Sequence, residues 1–138
     1  MSDIATLASD MAHCAAEFLA DLSPEQRQKA QFTFGNEQER RSWYYTPTPR
    51  AGLYLREMTP IQEQRVRRLL ALGLSEQGYN HTLTVIGLEY AVDYHSNFPD
   101  RTYGDLYGTR VRDPQNYCVA VFGEPGDEHG WSWRIGGC

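Results

Sequence analysis

The chain has 138 residues, enough for one domain with its own hydrophobic core. Apolar residues make up 41% and charged residues 22%, a balance that argues against a disordered chain. The formal charge of −5 and a pI near 5.3 supply no net positive field for a phosphate backbone, so nucleic acid is not an expected partner.

The basic residues are twelve arginines and a single lysine, Lys29. A guanidinium is a planar fork suited to carboxylates and phosphates. A coding bias gives the same count. Cys14, Cys118 and Cys138 are odd in number and lack CxxC spacing, which argues against a disulfide framework or zinc ribbon. The N-terminus lacks the basic and apolar regions of a signal peptide, and no apolar run is long enough to span a bilayer. No membrane partner is expected, and the cytoplasm is the expected compartment.

In chain order, residues 3–22 carry a helical stripe of Ile4, Leu7, Met11, Ala15, Phe18, Leu19 and Leu22. Ser23-Pro24-Glu25-Gln26 predicts a short second helix with a capping box and proline at N1. Phe32 and Phe34 alternate before a Gly35-Asn36 turn. Residues 42–55 read as extended, with strand-forming Trp43, Tyr44 and Tyr45, then a polyproline-like stretch through Pro47 and Pro49. Thr59-Pro60-Ile61-Gln62 repeats the capping box and opens a helix that ends near Gly73. Ser75 caps a third long helix, with Tyr79, Leu83, Ile86, Tyr90 and Tyr94 as its expected inward stripe. Residues 97–116 read as a long loop.

Residues 117–122 form an apolar run of strand length, and Trp131-Ser132-Trp133-Arg134-Ile135 reads as the returning strand of a hairpin. A hairpin alone is marginal in water, and an open apolar edge invites aggregation. The chain is therefore expected to be the N-terminal part of a larger domain, with residues 1–138 forming one unit.

No P-loop, dinucleotide fingerprint, nucleophile elbow or HExxH motif is present. Two histidines sit near carboxylates: His95 after Glu89 and Asp93, and His129 beside Glu124, Asp127 and Glu128. Either set could collect a metal. A solvated helix face and a wet loop look the same in sequence. Trp43 with Arg50, and Trp131 and Trp133 with Arg134, pair tryptophan with arginine twice. Such groups bind anions or aromatic rings by bidentate hydrogen bonds and stacking. On a strand, Trp131 and Trp133 share one face, while Ser132 and Arg134 share the other.

The ordered set of Trp43, Pro47, Pro49 and Arg50-Ala51-Gly52-Leu53, then Met58-Thr59-Pro60-Ile61-Gln62, then Leu74 to Tyr79, then Tyr117 to Pro125, then Trp131-Ser132-Trp133-Arg134 resembles the bacterial and fungal family called domain of unknown function 3500. The resemblance covers roughly residues 20–138 and carries no activity to transfer. It implies a longer chain in which the glycine at Gly137 is followed by two histidines. Here Cys138 stands at the first of those positions.

The expectation is an α+β fold, with helices packed on one side of a small, mostly antiparallel sheet that has a C-terminal hairpin. The leading functional reading is binding of a small anionic or aromatic ligand by Trp43, Arg50, Trp131, Trp133 and Arg134. The rivals are a metal-assisted enzyme using His95 or His129, and a module that pairs an open sheet edge with a partner or a second copy. The residues name no cofactor.

Overall fold

The computed structural model describes residues 3–44, 49–96 with side chains through Val92, and 112–137. Helix α1 (Ile4–Ala20) buries Ala15, Phe18 and Leu19 of its expected stripe together with Cys14, while Ile4 at the helix start is exposed. Helix α2 (Pro24–Ala30) leads without a loop into β1 (Gln31–Phe32). A four-residue helix α3 (Glu37–Arg40) follows, then β2 (Leu53–Tyr54), α4 (Pro60–Gly73), α5 (Glu76–Ser96), β3 (Cys118–Phe122) and β4 (Ser132–Gly136).

Both capping boxes form. Ser23 Oγ accepts from the Gln26 amide at 3.2 Å, and Thr59 Oγ1 accepts from the Gln62 amide at 3.2 Å. The two capping glutamines also meet: their side-chain amides exchange hydrogen bonds of 2.9 and 3.0 Å. Gln62 is buried, and its Nε2 also donates to Asp21 O at 2.9 Å. One amide thus satisfies the starts of two helices and the end of a third. Satisfying every partner is what makes a buried polar group tolerable.

Strand β3 organises the sheet. β4 pairs antiparallel along all of it, from Cys118↔Gly136 to Phe122↔Ser132. A strand has only two edges, so the two short strands share the other one. β2 pairs antiparallel at Cys118 and Val119, and β1 pairs parallel at Val121 and Phe122. The sheet is mixed, with a single parallel pairing among the described residues. The extended reading of residues 42–55 is corrected: Ser42–Tyr44 are not strand, and the partner near them is β2 at Leu53–Tyr54. Gly52, with φ of 145°, lets this segment approach so closely that a Cβ would lie 2.8 Å from Val119 O.

All five residues of β3 are buried, so both faces of the sheet are covered. Val119 and Val121 pack with Phe18, Leu19, Val66 and Leu70 in the main core, joined by Trp131, Trp133 and Ile135. Covering this face is the work of α1 and α4, which Arg65 also links by ion pairs to Glu17 at 3.3 Å and Asp21 at 3.6 Å. The other face is not bare. Phe32 stacks on Phe122 with centroids 5.4 Å apart, and Arg134 reaches from β4 to α3.

Helix α5 departs from its expected stripe. Tyr79 and Ile86 pack on the core, but Tyr90 is 59% exposed and Glu89 turns inward instead. The side chains of Asp93, Tyr94 and His95, and most of the expected 97–116 loop, lie outside the described residues. No described helix is long and apolar enough to cross a membrane.

Candidate functional site

The register of the hairpin puts Ser132, Arg134 and Gly136 on one face of β4, beside Cys118, Ala120 and Phe122 of β3. Arg134 is held there by four hydrogen bonds. Nη1 donates to Glu39 O at 2.8 Å and Ser42 Oγ at 3.3 Å. Nη2 donates to Glu39 Oε1 at 2.8 Å and Ala51 O at 3.1 Å. The guanidinium also lies 5.3 Å from the Phe122 ring centroid. Arg134 thereby fastens α3 and the segment ahead of β2 to the sheet, and Glu39 offsets its charge.

Arg50 is positioned through its backbone. Its N–H donates to Tyr54 Oη at 2.9 Å, and the Tyr54 hydroxyl donates back to Arg50 O at 3.2 Å. The Arg50 side chain then runs beside Tyr44, donating from Nη2 to Tyr44 O at 3.0 Å. Arg50, Arg134, Trp43 and Tyr44 line a cleft of about 230 Å³, closed below by Ile135, Gly136 and Gly137. Trp43 forms its rim and is 78% exposed, far more than a core tryptophan. The lining residues carry two positive charges and no negative one, and Glu39 pairs with Arg134 at 2.8 Å just behind them.

The structure thus brings Trp43, Arg50 and Arg134 together and leaves Trp131 and Trp133 elsewhere. Both of those rings pack against the helices on the opposite face. Trp133 Nε1 lies 3.2 Å from Met11 Sδ, and its ring sits so close to Gly73 that a Cβ there would be 2.7 Å away. The alternation of the strand separated these faces correctly, but the sequence did not say that α1 and α4 would claim the tryptophan face.

His129 is exposed in the hairpin connector, 3.8 Å from the equally exposed Glu128. His95 lies in the last turn of α5, with its side chain outside the described residues. Among the described residues no three histidine, cysteine or acidic side chains are grouped to hold a metal.

Two other concavities matter. The larger of these two, about 720 Å³, runs between α2, β1 and the hairpin connector. Some of its polar groups are engaged with one another: Gln31 Nε2 donates to Gly123 O and Glu124 Oε1, and Arg27 Nε donates to Gln31 Oε1. Size alone does not make it a site. The other, about 350 Å³, is a mainly apolar groove lined by His81, Thr82, Val85, Ile86 and Tyr117 together with Ile135, Gly136 and Gly137. Beside it lies a polar trio that sequence reasoning missed. Tyr117 Oη donates to Glu89 Oε1 at 2.9 Å, and Arg112 Nη1 lies 3.5 Å from Glu89 Oε2. Glu89 is 5% exposed, and its partners lie 23 and 28 residues away, beyond any local pattern.

Cys118 lies under Ala51, within 3.9 Å of its carbonyl oxygen. Burial pushes its thiol up to about 11, against an opposing pull from Arg134 and Arg50. A thiol so placed is not a nucleophile at neutral pH. Native Cys118 is expected to alkylate about a hundredfold more slowly at pH 8 than in urea, from the loss of thiolate alone. Site-resolved mass spectrometry reads this, and equal rates in the two states would refute it. Because the folded value lies above the ordinary 9.0, the protonated thiol favours the folded state fully below pH 9, and that contribution fades as pH rises through about 11.

Comparison with known proteins adds one relationship. No curated protein and no solved structure matches the chain. A family model described as "Protein of unknown function (DUF3500)" matches residues 5–138. The cleft and the groove both fall within that match, and the chain belongs to the DUF3500 family.

Proposed function

We propose that the chain binds a small anionic ligand with a flat or apolar body in the cleft formed by Trp43, Tyr44 and Arg50. The observation that carries this reading is the exposed Trp43 indole beside a guanidinium whose backbone is pinned at both its N–H and its carbonyl. A ring or chain stacks on the indole while the anion takes the guanidinium edge. Arg134 frames the cleft, its own charge matched by Glu39. A guanidinium edge suits a carboxylate or another small oxyanion.

Benzoate is a suitable probe, followed by the indole N–H resonance of Trp43. Arg50→Ala is expected to weaken benzoate binding at least tenfold, a charge-assisted hydrogen bond being worth about 1.5–3 kcal/mol. Urea unfolding of the same variant, run alongside, separates a loss of ligand from a loss of fold. A large drop in stability without any benzoate response in the parent protein would instead make Arg50 a structural residue.

A further inference from the structure

Helix α5 meets water differently from its neighbour. Helix α4 turns Arg67 and Arg68 outward. From Gln77 to Val92, α5 has one charged residue, Glu89, although charged residues make up 22% of the chain. Glu89 is buried and accepts from the Tyr117 hydroxyl, so it adds no charge to the outer side. That side is apolar instead: Val85 is 57% exposed and Leu88 52%. Asn80, Thr84, Gly87, Leu88 and Ala91 are all exposed and follow at the spacing of a single helix face. His81 and Thr82 border it at the adjacent groove and give it a polar rim. A Cβ on Gly87 would meet nothing within 4 Å, so packing inside the chain does not ask for a glycine there. Glycine weakens a helix interior, and its use is to let another backbone come close.

Charge and area select the occupant. A partner recognised through charge needs charged side chains on this face, and its described residues offer none. The rest of the chain is acidic, with a net charge of −5. A neutral face on an acidic molecule fits one that is equally neutral, and a second copy meets that condition without any like-charge pair. Helix α5 has 21 residues and is about 30 Å long. Two such helices laid face to face bury on the order of 1,000 Å², the low end for a specific interface. That supports a weak dimer and is too little for an obligate one.

We infer that the outer face of α5 is a homodimer interface, with two copies packed antiparallel about a two-fold axis between Gly87 and Leu88. Thr84 of each copy then lies opposite Ala91 of the other, Leu88 meets its own counterpart, and Gly87 lets the backbones close. The inference is independent of the cleft reading.

Sedimentation equilibrium of the whole chain between about 5 µM and 1 mM is the test, with half-association expected on the order of 100 µM. Leu88→Glu sets two like charges at the axis and should weaken association at least tenfold. Gly87→Gln should do the same by holding the helices apart. The melting temperature of the dilute Gly87→Gln protein should stay equal or rise, glutamine being the better helix former. Glu128→Lys, in the exposed hairpin connector, should leave association unchanged. A monomer throughout that range would overturn the inference, and so would association that survives either α5 variant undiminished. Assembly that continues beyond the dimer would overturn the two-fold arrangement. A clear fall in the melting temperature of dilute Leu88→Glu would show that the chain covers its own Leu88, and would count against the interface too.

Discussion

Replacing Phe122 by alanine is expected to lower stability by about 3–5 kcal/mol, the usual range for truncating a buried aromatic. Phe122 is fully buried, stacks on Phe32 across the parallel pairing, and carries Arg134 over its ring. Truncation leaves a cavity under both contacts, and β1 is too short to move into it without losing its place on β3. Domains of this size are stable by only about 5–15 kcal/mol, so the change consumes a large share. The melting temperature should fall by roughly 10–20 °C. Phe122→Leu, which keeps most of the volume, should cost less than about 1.5 kcal/mol. Urea titration measures both, and a loss below about 1 kcal/mol for alanine would mean that this face of the sheet is not close-packed.

Arg134→Met should cost roughly 2–3 kcal/mol, for a different reason. Methionine keeps the stem over Phe122 but removes the donors to Glu39, Ser42 and Ala51. Two backbone carbonyls lose a charged partner, and Glu39 loses the cation that offsets it. The side chain of Arg134 is 23% exposed, so water recovers part of the loss, and the figure stays below that for a fully buried pair. Arg134→Lys should not rescue, because one ammonium cannot span a carboxylate and two carbonyls as the fork does. The midpoint in urea should shift with an unchanged slope. A shift no larger than that of an exposed arginine such as Arg67 would refute the clamp.

These two residues also show where the sequence was informative. Local signals were reliable. Ser23 with Gln26, and Thr59 with Gln62, sit three residues apart, and each box forms within its own turn. The apolar run before Gly123 had to be a covered strand, and it is. What failed was non-local. β1 and β2 are two residues each and are strands only because β3 lies beside them, so no run length betrays them. Helix α3 had a signal in Asn36, whose side chain accepts from the Glu39 amide at 3.2 Å, but the preceding glycine made the stretch read as a turn alone. Tyr90 was assigned to the core because α5 carries apolar residues around much of its circumference, so spacing could not choose a face. Half of the site reading met the same limit: arginine beside tryptophan was visible twice, but only contacts with distant helices send Trp133 inward and leave Trp43 at a rim.

The shared edge of β3 has a consequence for how the chain acquires its structure. Gln31 waits for Val121 and Leu53 waits for Val119, so two of the three strand pairings close loops of more than sixty residues. Closing loops of that length is entropically costly and slow compared with helix formation. During synthesis, α1, α2 and α4 emerge long before β3 does, with Phe18, Leu19 and Val66 still lacking the strand they pack against. The capping glutamines Gln26 and Gln62 are already present at that stage and can hold the three helices in register. The last long-range pairings to become possible are therefore those of β3, and with β4 behind it they bring the tryptophan face and the arginine contacts together.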